Sequence, residues 1–148
     1  MTETIIIPQH HSTNLTEYAE KQPYEMCALL IGWNLYNKNN LKKPKYIQVH
    51  HMYFTDNTEK SPVHFTISNE QLIEGYKFAT KKHMEVVGIF HSHPNNKAWP
   101  SITDEKFMKT NPGVWIIYSG TEKNMRAFKL NDNEKPKEIW ISNDKTFF

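Results

Sequence analysis

Two histidines, a serine and an aspartate stand at short offsets behind an apolar run in the stretch from Met84 to Asp104, MEVVGIFHSHPNNKAWPSITD. Val86, Val87, Ile89 and Phe90 are β-branched or aromatic and nearly unbroken, which predicts a strand buried on both faces. His91 and His93 follow at its end. Residues two apart on a strand share a side, so both imidazoles can face one ion while Ser92 turns away between them. Pro94 stops the strand, Pro94 to Pro100 reads as loop, and Ser101-Ile102-Thr103-Asp104 opens a helix that carries a carboxylate back toward the histidines. Two neutral imidazoles and a carboxylate bind Zn²⁺ tightly and leave one coordination position open, the pattern of catalytic rather than structural zinc. Each piece also has a plainer reading. Ser101-x-x-Asp104 is close to a capping box that merely starts a helix, and a lone histidine on a strand is more often hydrogen-bonded than a ligand. It is the joint spacing that favours a metal.

The elements that must position these residues follow from the patterning. Ile5-Ile6-Ile7 predicts a short strand ended by Pro8, and Leu15, Tyr18 and Ala19 recur at helical spacing from a cap at Ser12 or Thr13 until Pro23. Residues 26 to 31 are apolar at every position and predict a central strand, with Glu25 at its mouth. Asn34 to Pro44, rich in Asn and Lys, reads as an exposed turn, and Lys45 to Phe54 as a strand pairing antiparallel with the one before it. A polar loop over Thr55 to Ser61 leads to a short strand, Val63 to Ile67. From a cap at Ser68 or Asn69, a helix carrying Leu72, Ile73, Tyr76 and Phe78 runs to about His83. Asn111-Pro112-Gly113 ends the helix of Asp104. Three further strands are expected at Val114 to Tyr118, Met125 to Leu130 and Glu138 to Ile141. With no repeat or low-complexity segment, residues 1–148 read as one α/β domain with a mixed sheet.

Composition excludes several classes. The net charge of +2 comes from 18 basic and 16 acidic residues spread along the chain, with no clustered footprint for nucleic acid. Cys27 is the only cysteine, so there is no internal disulfide, and it reads as a buried small hydrophobe in a reducing compartment. No signal segment and no apolar run of membrane-spanning length is visible, which predicts a soluble, cytoplasmic protein. His10, His11, His50, His51, His64 and His83 have no ligand spacing with one another and read as surface or strand-face residues. The terminal Phe147-Phe148 is expected to pack on the domain's own surface.

Glu25 leading an apolar strand, His91-Ser92-His93, the seven residues from Pro94 to Pro100, then Ser101 and Asp104 resemble the signature of the JAMM metalloproteases, the zinc-dependent members of the MPN domain family. The resemblance extends to PYEMCALLIG and to VHFTISNEQL through VVGIFHSHP, covering roughly residues 12 to 120. One departure is Ala28, where the family usually has Gly. The resemblance implies a JAB-like, cytidine-deaminase-like α/β domain with a mixed, partly barrelled sheet flanked by helices. It further implies zinc on His91, His93 and Asp104, Glu25 as general base, and Ser101 as donor to the oxyanion of a tetrahedral intermediate. The segment from Phe54 to Phe65 corresponds to where the family's substrate tail lies as an added strand.

Three function classes follow from that resemblance. One is an isopeptidase that removes ubiquitin or a ubiquitin-like modifier after its Gly-Gly tail. Another is a hydrolase that trims a ubiquitin-like sulfur-carrier protein, and the last is a non-catalytic MPN scaffold. All five expected positions are filled, which disfavours the scaffold. The short run from Asp104 to the next strand, without insertions, resembles the compact prokaryotic members. Client, oligomeric state and pathway are not written in the side chains.

Overall fold

Among the described residues, seven strands close into one sheet. The structure, a computed structural model, describes residues 3–62, 65–111 and 113–143. In chain order its elements are β1 (Thr4–Ile6), α1 (Gln9–Glu20), β2 (Cys27–Asn37), β3 (Asn40–Thr55), α2 (Asn69–Lys81), β4 (Glu85–His93), α3 (Ile102–Thr110), β5 (Val114–Ser119), β6 (Asn124–Leu130) and β7 (Pro136–Ser142). Around the barrel the order is β1-β3-β2-β4-β5-β6-β7. β1 pairs parallel with β3 and β7, β4 pairs parallel with β5, and the remaining neighbours are antiparallel. This is the mixed, partly barrelled α/β architecture that the sequence resemblance implied.

Side-chain alternation divides the core into two faces. Every strand contributes to one cluster, with Ile5, Ala28, Ile47, Phe90, Ile116, Ala127 and Ile139 among its members, and α1 adds Leu15 and Ala19. On the opposite face, Cys27, Leu29, Ile89, Trp115 and Ile117 pack with Met108 of α3, Phe65 and the half-buried Leu72 of α2. Each large apolar side chain buried this way is worth roughly 1.5–3 kcal/mol, so strand register is firmly set. A slip of one residue would exchange the two faces. His91 and His93 continue the Ile89 face, toward α2 and α3.

Several expectations need correction. The turn expected over Asn34 to Pro44 is almost all strand: Trp33 pairs with Gln48 and Leu35 with Tyr46, so the β2–β3 hairpin extends through a stretch whose polar composition suggested loop. Helix α1 starts at Gln9, directly after Pro8, rather than at Ser12 or Thr13. Ser12 is buried and its hydroxyl instead accepts a hydrogen bond from Asn143 Nδ2. In α2, Ser68 is the cap, accepting from the Gln71 N–H. The helix ends at Lys81, since His83 turns to a positive φ of 60°. The face that α2 buries is Gly75 and Ala79, with Ile73 and Tyr76 exposed. Residues 65–67 are not strand. Val63, His64, Pro112 and Phe147-Phe148 lie outside the described residues.

Four of the histidines read as surface or strand-face residues, His10, His11, His50 and His51, lie together. Ile31 faces His51 and Gly32 faces Val49, which makes His50 the extra residue of a bulge, and the His50 and His51 ring centroids lie 4.7 Å apart. His11 of α1 brings Nε2 to 2.8 Å from the His50 carbonyl. A carbonyl only accepts, so Nε2 carries the proton, and Nδ1 is left buried with no partner among the described residues. Burial pushes the His11 pKa down; the bond to His50 opposes this, and the neighbouring His10, His51 and His50 reinforce it. His51 is lowered too, by burial first and then by His50 and Lys82. Groups depressed in this way stabilise the fold above the unfolded histidine pKa of about 6.5 and lose that contribution as pH falls through it. Melting temperature should therefore drop less between about pH 7.5 and about pH 5.5 in His11→Gln, whose amide can still donate to His50, than in the parent chain. Identical slopes would exclude His11 as a source of acid sensitivity.

Candidate metal centre

β2 runs antiparallel to β4 with Cys27 opposite His91 and Ala28 opposite Phe90. The pairing reaches one step further through a side chain: Ser92 N–H donates to the Met26 carbonyl at 3.0 Å, and Ser92 Oγ accepts from Met26 N–H at 2.8 Å. Glu25 is thereby set beside His91, although the two are far apart in sequence. Ser92 does turn away from the histidine face, and its hydroxyl has a structural use that the spacing alone did not reveal.

Helix α3 supplies the other carboxylate. Ser101 caps it, its Oγ accepting from Asp104 N–H at 3.0 Å while Ser101 N–H donates to Asp104 Oδ2 at 2.9 Å, a complete capping box. Capping and the placement of Asp104 are one arrangement, because the box aims the carboxylate at β4. Asp104 Oδ2 lies 2.9 Å from His93 Nε2, Asp104 Oδ1 3.3 Å from His91 Nε2, and Glu25 Oε1 3.2 Å from that same nitrogen. All four residues are buried, His91 completely. One ligand atom from each of Glu25, His91 and His93 lies within 4.8 Å of the others, a group able to hold a metal ion.

The chemistry of the donors fits a cation. His91 Nε2 is buried and, among the described residues, has no hydrogen-bond partner, although two carboxylate oxygens stand near it. His93 Nδ1 is 2.9 Å from the Lys97 carbonyl, so it carries the ring proton and leaves Nε2 for a ligand. The carboxylates of Glu25 and Asp104 press on the histidines. Burial works to lower the His91 pKa, but Asp104, Cys27 and Glu25 outweigh it and hold it well above the usual value. Burial likewise works to raise Asp104, yet the adjacent His91 and His93 rings and the hydrogen bond from Ser101 N–H keep it well below the carboxylate range.

Residues 8–131 match the family described as prokaryotic homologs of the JAB domain. The chain belongs to this family. It is 30% identical over 138 residues to the desampylase of Pyrococcus furiosus, an alignment spanning 93% of this chain and 89% of that protein. The solution structure of a Desulfitobacterium hafniense protein superposes with a TM-score of 0.74 at 23% identity, covering 93% of this chain and 90% of the other. A Salinibacter ruber protein gives 0.67 at 18% identity, covering 96% and 92%. These two likenesses support the JAB fold alone.

Around the centre, this JAB chain adds contacts that the sequence did not announce. The Phe65 ring lies 4.2 Å from that of His91, centroid to centroid, and Trp115 stands edge-on at 6.5 Å. Cys27, fully buried as expected, places Sγ 4.0 Å from His91 Nδ1, and burial pushes its thiol pKa up against the pull of His91. That is the setting of an inert thiol. The loop after His93 is tied to the end of β5. Gly120 N–H donates to the His93 carbonyl at 2.9 Å, and Ser119 Oγ donates to the Asn96 carbonyl at 2.7 Å. A side chain at Gly120 would strike the Pro94 carbonyl. Among the described residues, no helix is long and apolar enough to cross a membrane.

Proposed function

We propose that this JAB-family chain is a zinc-dependent isopeptidase that hydrolyses the bond after the C-terminal Gly-Gly tail of a ubiquitin-like modifier. His91, His93 and Asp104 hold the metal, Glu25 is the general base, and Ser101 is the oxyanion donor. The carrying observation is the clustering of four buried side chains, Glu25, His91, His93 and Asp104, in which two carboxylate oxygens approach His91 Nε2 and no described residue gives that nitrogen a hydrogen bond. Asp104 is preferred to Glu25 as third ligand because its two oxygens approach both histidines.

Zinc bound there supplies Lewis acidity, polarising a carbonyl and bringing the pKa of water down to about 7. The side chains do the rest. Glu25 takes up a proton and returns it to the departing amine, a service typically worth about 10²–10⁴-fold. Ser101 Oγ already accepts from Asp104 N–H, which leaves its own O–H free to donate to the carbonyl oxygen as charge develops. The burial of the four residues excludes bulk water and strengthens each of these interactions.

The choice of substrate rests on the sequence resemblance to modifier-cleaving enzymes and is supported by the relative named desampylase. We place the tail along the Phe54 to Phe65 segment, where a chain without side chains can lie flat against backbone. The test is a panel of zinc-loaded reactions on β-grasp modifiers, ubiquitin and a sulfur carrier among them, each fused to an amine through Gly-Gly and, in parallel, through Leu-Leu. Cleavage restricted to Gly-Gly fusions is expected, and the member cleaved fastest assigns the client. Equal cleavage of both series, or of unstructured peptides, would leave a general zinc peptidase. No cleavage of any member by the metal-loaded protein would favour a scaffold.

A further inference from the structure

We infer that Asn57 is a positioning residue that fixes the backbone of Glu25, and with it the carboxylate beside His91. The inference rests on the reading of Glu25 as the base. β2 begins at Cys27, so Glu25 lies beyond the last register pair that β2 makes with β3 and β4. Its peptide groups are held instead by the loop after β3: Glu25 N–H donates to the Ser61 carbonyl at 2.8 Å, and the Glu25 carbonyl accepts from Asn57 Nδ2 at 3.0 Å.

Asn57 is 1% exposed, and its amide is used on every side. Nδ2 also lies 3.5 Å from the Ser61 carbonyl, while Oδ1 accepts from Glu59 N–H and from Thr66 N–H, both at 3.1 Å. Two donors and two acceptors are the full capacity of an asparagine amide. A polar side chain buried this deeply is costly unless its bonds are satisfied, and when satisfied it specifies a single geometry. Here one amide sets three things together: the backbone of Glu25, the turn that carries Ser61, and the Thr66 peptide that follows Phe65, whose ring covers His91. Asn57 touches neither histidine in any of these bonds and would act on the reaction through Glu25 and Phe65.

Asn57→Asp separates the two halves of the amide. The carboxylate keeps acceptors for Glu59 and Thr66 but cannot donate to the Glu25 carbonyl, and it faces that oxygen with like charge. Asn57→Ser is made beside it, so that the result does not depend on one variant folding. In both, zinc occupancy should stay at the parent level, and hydrogen exchange at the Glu25 amide should accelerate by roughly tenfold or more while amides of β4 keep their protection. On the Gly-Gly fusion cleaved best by the parent, kcat should fall roughly 10–100-fold with little change in KM, as expected for a misplaced group. In a Glu25→Gln background, under single-turnover conditions, adding Asn57→Asp should cost almost nothing more, since residues acting through one another are not additive. An equal fold-loss in both backgrounds would make Asn57 a general structural residue and overturn the proposal, as would unchanged exchange at Glu25. If the parent protein cleaves no fusion, it is the isopeptidase reading that fails, and the exchange measurement alone decides the role of Asn57.

Discussion

Replacing His91 and His93 together with alanine should take zinc content from close to one ion per chain to near zero and abolish hydrolysis of Gly-Gly fusions. Both imidazoles project from one face of β4, and neither has a substitute nearby: among the described residues, the group able to hold a metal contains these two histidines and Glu25. Two carboxylates alone make a poor zinc site, since tight zinc binding of this type draws on nitrogen donors. The barrel should survive, because the lost side chains stand at the end of β4 while the apolar register is set by Ile89, Phe90 and their neighbours. Elemental analysis of the purified variant checks the expectation, and full occupancy would move the metal elsewhere.

The Glu25→Gln variant should keep its zinc and lose roughly 10²–10⁴-fold in kcat, the usual span for a general base. The amide has the shape of the carboxylate and can still hydrogen-bond, but it cannot take a proton. Asp104→Asn supplies the contrast. It alters the proposed third ligand, whose oxygens reach both histidines, and also disturbs the capping box of α3, so metal content should fall with activity. Metal analysis and turnover on both variants separate the roles. Loss of zinc from Glu25→Gln with retention in Asp104→Asn would exchange base and ligand.

The part of the centre that was legible in sequence is the part that is local in sequence. His91, Ser92 and His93 obey the period of one strand, and Ser101 and Asp104 obey the geometry of one helix start, so their mutual placement needs almost nothing from the rest of the chain. Glu25 was harder. Its closeness to His91 depends on β2 and β4 being hydrogen-bonded neighbours with Cys27 opposite His91, and two apolar runs advertise burial without announcing register. Asn57 carried no signal in a polar loop, because its role is made of side-chain bonds to backbone across the fold, which have no period. Composition misled at Asn34 to Pro44, where hairpin pairing overrides polar residues. It misled again on α2, where Gly75 rather than Ile73 or Tyr76 meets Leu29.

The proposed ligands and the proposed base do not share the same mooring. His91 and His93 sit inside β4, which has bonded strands on both flanks, β2 on one side and β5 on the other. Glu25 hangs from loop hydrogen bonds just past the end of β2. Regions held by a few loop bonds open at lower free energy than central strands, so gentle heating or dilute denaturant would free the carboxylate while the ion stayed in place. A sample that had aged in this way would pass a metal assay and fail an activity assay, and its dead fraction would recover on cooling without any zinc being added back.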